Sequence, residues 1–249
     1  MLRMILCDWN GTLFRDTLEE AYFVGLCRRA VFRAARRGRL GRLARLTAAG
    51  ARCYLQYAAA RLRPSETMPR IGRIIELLNP VVFRGLTAGE LAAYDAEYAR
   101  RVQPKLDRRL LDPLWATHRR CGAEMGVLSA GCRAGIAAAL RAAGCEVNLI
   151  LANEFRMDGD VVAGFDFALT SNKADALEAL LAERGVAPED VLYVGDGEHD
   201  EQCLRLVGYP VVSFYATRTA RRQLTENCGA FAPTTREQLE RHLARVAGE

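Results

Sequence analysis

"LCDWNGTLF", Leu6–Phe14, is the stretch whose reading decides the fold. The apolar run Met4-Ile5-Leu6 reads as a buried strand that delivers Asp8 to an Asn10-Gly11 turn, with Thr12 directly after it. An aspartate at the end of a strand is free of the sheet and placed to act as a nucleophile. Residue 10 is then the puzzle. Such chemistry usually asks for a second carboxylate two residues beyond the nucleophile, and here the side chain is an amide.

Outward from this turn the periodicity changes. From Asp16 to about Gln103 the apolar residues recur at helical spacing, with Asp16 as a candidate N-cap and Gly38, Gly41, Gly50 and Pro64 dividing the region into several helices. Thr87, followed three residues on by Glu90, predicts a capping box. Pro104 closes the block. Strands and helices then alternate: a helix near 106–121, a strand over 124–128 ending before Ser129, a helix over 134–143 and a strand over 147–152. An Asp158-Gly159 hairpin turn follows, then a helix over 174–184 stopped at Gly185 and a strand over 191–194 running into Gly195-Asp196. Strands at 211–214 and 230–232 and a helix from Thr235 end the chain. This alternation predicts an α/β fold, a parallel sheet wrapped by helices with its ligand site at the carboxyl ends of the strands. Asp8, Ser129 and Asp196 each fall just past a predicted strand, which groups them.

Composition narrows the class. Half of the 249 residues are hydrophobic and 26% are charged, the balance of a globular chain with a sizeable core. No apolar run approaches the roughly 20 residues that span a bilayer, and the first residues are too soon charged for a signal peptide. Eight cysteines without a Cys-x-x-Cys pair or zinc spacing read as reduced, buried thiols, so a cytoplasmic location is expected.

Charge is unevenly spread. Arg28 to Arg73 holds 13 arginines against Glu66 alone, a local +12 that leaves −7 for the remainder of a chain of net charge +5. Lysine occurs only at positions 105 and 173. The basic stretch offers itself to an anionic substrate, a membrane surface or an acidic carrier protein, with a plain solvated face as the simpler reading. It lacks the interleaved aromatics that would stack on bases, so nucleic acid is not expected.

Four segments stand in order: Asp8-Trp9-Asn10-Gly11-Thr12, Leu128-Ser129-Ala130-Gly131, Lys173 at a helix start, and "GDGEHD" at Gly195–Asp200. Together they resemble the haloacid dehalogenase-like hydrolase superfamily, most of whose members are phosphatases. The part beyond Pro104 is most similar to its phosphoserine-phosphatase-like branch. The resemblance covers 1–14 and 105–233. It implies a Rossmann-like parallel sheet core, residues 1–14 and 105–249, with an arginine-rich helical cap, 15–104, inserted after the first strand.

The resemblance also implies roles. Asp8 would attack phosphorus and become an aspartyl phosphate. Mg²⁺ would be held by Asp8, the backbone carbonyl of Asn10 and Asp196, with Asp200 joining the set through a bound water or holding Lys173. Lys173 would supply positive charge. Ser129 and the amides of Ala130 or Gly131, with Gly11 and Thr12, would bind the phosphoryl group.

Asn10 departs from the pattern. An amide hydrogen-bonds but cannot exchange the proton that general acid–base catalysis moves, a contribution of roughly 10²–10⁴ in rate. A good leaving group, a substitute such as Glu198 or His199, or binding without efficient turnover would each accommodate it. The expected function is Mg²⁺-dependent hydrolysis of a small-molecule phosphate monoester with atypical acid–base chemistry. The alternative is a weak or inactive protein binding a phosphorylated ligand or partner on the same fold.

Overall fold

The computed structural model describes residues 1–15, 18–62, 67–170 and 172–248, without the side chains of 18–21, 60–61 and 67–68. Strands β1 (Met4–Cys7), β2 (Glu124–Cys132), β3 (Leu149–Asp158), β4 (Val161–Asp166), β5 (Val191–Gly195) and β6 (Tyr209–Val212) form one sheet in the order β4-β3-β2-β1-β5-β6. Every pairing is parallel except β3–β4, the hairpin turned at Asp158-Gly159, so the α/β sheet carries one antiparallel edge.

Helices cover both faces. β1 is buried throughout, and its side chains sort by alternation. Ile5 and Cys7 join the cluster of α5 (Arg108–Cys121), α6 (Arg133–Ala142) and α10 (Arg236–Ala247). Met4 and Leu6 join that of α7 (Lys173–Arg184), α8 (Glu201–Leu206) and α9 (Arg218–Cys228). Asp8 continues the second set towards α7, while Trp9 packs with the first.

Between β1 and α5 lie α1 (Leu18–Arg36), α2 (Leu40–Leu62), α3 (Thr67–Leu78) and α4 (Ala88–Val102). The N-cap expected at Asp16 and the break expected at Pro64 lie outside the described residues. After α3 the chain widens into a π-turn at Asn79–Phe83, where Pro80 brings no N–H to the helical ladder. The capping box at α4 forms: the Glu90 amide donates to the Thr87 hydroxyl and the Thr87 amide to the Glu90 carboxylate, both at 3.1 Å.

The two chain crossings into this helical block run side by side, bridged at Phe14 and Leu106, and the Asp107 amide donates to the Leu13 carbonyl at 2.9 Å. A second attachment is at the sheet edge. Gly85 donates to Val162 at 2.9 Å, Val162 to Leu86 at 2.7 Å, and Ala88 to Asp160 at 2.8 Å. The Asn79 side chain brackets Phe165, accepting from its amide at 2.7 Å. Tyr22, Phe23, Phe83, Phe155 and Phe165 pack edge-on between helices and hairpin.

Two strands differ from expectation. β2 runs on through Cys132 with a shift of register between Ser129 and Cys132, so Ser129 lies within the strand rather than past it. Cys132 occupies the N-cap position of α6 without a side-chain capping bond. The strand expected at 230–232 reduces to a bridge between Val211 and Phe231, because the chain touches β6 only in passing.

Asn153, buried on β3, ties the segment after Ser129 to the one before α7. Its amide donates to Ala130 O at 2.6 Å and Leu169 O at 2.8 Å, and its oxygen accepts from Leu169 N at 2.8 Å. Asn153→Ala strips partners from three backbone groups at roughly 1–3 kcal/mol each where nothing replaces them. Urea unfolding should show a loss of about 3 kcal/mol or more, against about 1 kcal/mol for Thr87→Ala, which removes only a helix cap. Equal losses would mean that Asn153 holds nothing together.

Candidate active site

The site is built where β1, β2 and β5 end. Beyond β1 the Trp9 carbonyl accepts from the amides of Leu13 at 3.1 Å and Phe14 at 3.0 Å, curling the chain tightly through Asn10 and Gly11. Gly11 has φ +72°, and a Cβ there would stand 2.4 Å from an Asp196 carboxylate oxygen. Glycine is required for both reasons. Ser213 ties the turn to the end of β6, its hydroxyl donating to the Gly11 carbonyl at 3.0 Å.

Asp8, Lys173 and Asp200 form a buried chain of charge. The Lys173 ammonium lies 2.8 Å from Asp8 Oδ1 and 2.8 Å from Asp200 Oδ1. Tyr193, buried on β5, donates its hydroxyl to the same Asp200 oxygen at 2.8 Å, and the Asp196 amide donates to the other at 3.1 Å. Asp200 thus positions the lysine and the Asp196 loop together. Nothing in the sequence singled out Tyr193, although a polar-tipped residue in a wholly apolar strand two places before Gly195-Asp196 was the signal available.

Oxygens of Asp8, Asp196 and Asp200 lie within 4.8 Å of one another. Three carboxylates face one ammonium, and the pKa values respond. Burial pushes Asp8 up from the ordinary carboxylate range, with Lys173 pulling it back. Burial, and then the charges of Asp200 and Asp8, push Asp196 up to about 7. Burial alone would depress Lys173, but the two carboxylates outweigh it and raise its pKa. This all-oxygen set with excess negative charge fits a divalent cation such as Mg²⁺, which would be held by Asp8 and Asp196 with Asp200 beside them. The Thr12 hydroxyl lies near enough to favour ionised Asp196, yet it makes no hydrogen bond of normal geometry.

On the β2 side, Ser129 is buried and its hydroxyl accepts from the Gly131 amide at 3.3 Å, a long bond. Asn153 fixes Ala130 from behind. Asn10 lines a crevice of about 10 Å³, roughly one water, with Trp9, Tyr22, Tyr98 and the Gly131–Ile136 segment. Tyr22 comes from α1 and Tyr98 from α4. The Tyr22 hydroxyl donates to Asp95 at 2.6 Å, and a Cβ on Gly135 would meet the Tyr22 ring at 2.9 Å. None of the crevice-lining residues is an arginine. Glu198 and His199 are exposed and do not line it. Cys7, beside Asp8, is a buried thiol whose pKa burial drives far up, and all eight cysteines are free.

The raised Asp196 pKa has a signed consequence. In the folded protein without a metal, this carboxyl holds its proton at pH values where the unfolded chain has lost it. Its contribution to stability is complete below the ordinary carboxylate range and is lost as pH rises through about 7. A divalent cation must displace that proton. The gain in melting temperature on adding Mg²⁺ should therefore be larger above that pH than below it, read by calorimetry. A gain independent of pH would contradict the assignment.

Residues 5–205 match the haloacid dehalogenase-like hydrolase family. Compared with the curated proteins, the chain has no significant match. Among solved structures it is similar to a protein of unknown function from Bordetella pertussis Tohama I, at TM-score 0.64 and 21% identity over 93% of this chain and 98% of that one. It is similar to cytosolic 5′-nucleotidase IIIB bound to cytidine, at TM-score 0.61 and 13% identity over 99% and 86%. It is also similar to phosphoserine phosphatase in its apo form, at TM-score 0.56 and 15% identity over 96% and 98%. At such identities the likeness is one of fold. The family match runs over most of the sequence and takes in Asp8, Lys173 and Asp200 together: this chain belongs to the haloacid dehalogenase-like hydrolases.

Proposed function

We propose that the chain is a Mg²⁺-dependent phosphatase that hydrolyses a small-molecule phosphate monoester bearing an activated leaving group. The observation that carries this reading is the Asp8 carboxylate at the end of β1, 2.8 Å from the Lys173 ammonium and beside Asp196 and Asp200. In the first step an Asp8 oxygen bonds to phosphorus and the bond from phosphorus to the ester oxygen breaks, the oxygen departing as an anion that takes its proton from solvent water. In the second, water attacks phosphorus, the Asp8–phosphorus bond breaks, and inorganic phosphate leaves with the carboxylate restored. Lys173 offsets the charge where Asp8 and the phosphoryl oxygens meet. The Ser129 hydroxyl and the Gly131 amide would exchange their long mutual bond for bonds to the phosphoryl group, joined there by the Ala130 amide. When bound, Mg²⁺ supplies further positive charge against those oxygens.

Asn10 determines the substrate class. Its amide can orient a leaving oxygen or a water but neither gives nor takes a proton. The missing acid–base contribution, roughly 10²–10⁴-fold, corresponds to about 3–5 kcal/mol of barrier. Acyl, enol or aryl phosphates need little protonation on departure and lose least. Asn10 is also the observation that favours a second reading, a protein that binds a phosphorylated ligand without turning it over.

Phosphate release with Mg²⁺ from an acyl, an aryl and an alkyl phosphate tests both readings. Wild-type turnover should fall steeply from acyl to alkyl, and Asp8→Asn should abolish it. Asn10→Asp should raise alkyl ester hydrolysis by roughly 10²-fold or more, with little gain on the acyl phosphate. Intact mass must accompany each assay, since deamidation at Asn10-Gly11 would create the same carboxylate. An Asn10→Asp protein inert towards all three would overturn the phosphatase reading.

A further inference from the structure

α1 and α2 are joined by only Arg37-Gly38-Arg39 and pack together as a helical hairpin. The inner side of α1 is apolar, with Tyr22, Phe23, Leu26, Ala30 and Ala34 in the core. The outer side is apolar as well. Phe32, Leu40, Tyr54, Leu55 and Leu62 are 63–83% exposed, and Val31 joins them at 40%. These six, with Val24, make up seven of the ten large hydrophobic side chains exposed among the described residues. Scattered exposed leucines are ordinary, but a concentration on one helical hairpin is not.

The charge around these residues has one sign. No acidic residue occurs between Glu20 and Glu66. Arg29 and Arg33 turn inward to Glu97 and Glu90 of α4. Arg28, Arg36, Arg39, Arg45 and Arg52 are exposed along the same hairpin, and the Arg36 guanidinium lies 5.7 Å from the Phe32 ring centre. α2 alone extends this face over about 34 Å.

We propose that the outer face of the α1–α2 hairpin docks on an anionic lipid surface. Apolar tips distributed along two helices, with arginines on the same elements, suit the boundary of headgroups and acyl chains: the tips insert and the arginines meet lipid phosphates. No helix among the described residues is long and apolar enough to cross a membrane, so the hairpin lies on the surface. A second copy of the chain would set arginines against arginines. A folded acidic partner would want the apolar residues gathered into a groove.

Flotation of the full chain with vesicles tests this independently of any phosphatase activity. The protein should float with vesicles of equal parts phosphatidylglycerol and phosphatidylcholine and stay behind with phosphatidylcholine alone. Each arginine near an anionic surface is worth roughly fivefold in affinity. Arg36→Gln, Arg45→Gln and Arg52→Gln combined should therefore weaken binding roughly a hundredfold. Phe32→Ser with Leu55→Ser should weaken it at least ~10-fold, since each removes an inserting side chain. Unchanged helical circular dichroism and melting temperature establish that these surface variants fold. Failure to float with anionic vesicles, or equal flotation with both, overturns the proposal. So does full binding by the serine variant, which would show adsorption by charge alone with no insertion of the apolar side chains. A dimer in sedimentation that the serine variant dissolves would assign the face to self-association instead.

Discussion

The rest of the site depends on one buried ammonium shared between two carboxylates. Lys173 touches Asp8 and Asp200 at 2.8 Å each, and all three are nearly removed from water. Taking single charges out of water costs several kcal/mol each, and only close pairing with further hydrogen bonds repays it. The fold supplies both. α7 begins at Lys173, so its first turn faces the sheet; β1 and β5 end side by side, so Asp8 and the Gly195-Asp196 loop are neighbours; Tyr193 and the Asp196 amide complete the shell of Asp200. Three carboxylates still stand against one ammonium, so negative charge remains in excess. The structural pairing is thus finished while the functional charge is left open, which is the state a cation or a phosphoryl group would complete.

The parts legible in the sequence were those with a local signature. Asp8 follows an apolar strand into an Asn-Gly turn, Asp196 follows another into a Gly-rich loop, and Thr87 and Glu90 are three residues apart, so each declares itself within a few positions. The Asp158-Gly159 hairpin was equally plain, although the antiparallel edge it adds was not drawn from the strand–helix alternation. Hidden features depend on partners far along the chain. Asn153 serves Ala130 and Leu169, 23 and 16 residues away, and Ser213 reaches Gly11 across 202 positions. The extension of β2 past Ser129 was masked because Ala130 and Gly131 read as a turn, whereas the structure absorbs them in a register shift.

The arginine-rich region shows that composition gives a charge but not a direction. Thirteen arginines lie between Arg28 and Arg73. Arg29 and Arg33 brace α1 against α4, others point outward, and aromatic rings line the crevice beside Asn10. Helical periodicity could not separate an inner from an outer apolar stripe on α1, because both were present. The surroundings of Asn10 are largely aromatic, formed by Trp9, Tyr22 and Tyr98.

A helical block joined to a sheet only through the neighbouring crossings at Phe14 and Leu106 would swing like a door on one pair of hinges. Here the door is also bolted on another side, because residues 85–88 hydrogen-bond along β4 and Asn79 clasps Phe165. α1, α4 and the β3–β4 hairpin therefore make a single mechanical piece. At its inner border runs an aromatic seam, where the Tyr22 and Tyr98 rings face Gly131–Ile136 across a gap of about one water. With Tyr22 tied to Asp95 and packed edge-on against Tyr98, the wall beside Asn10 is built into that same piece rather than carried on a loose loop.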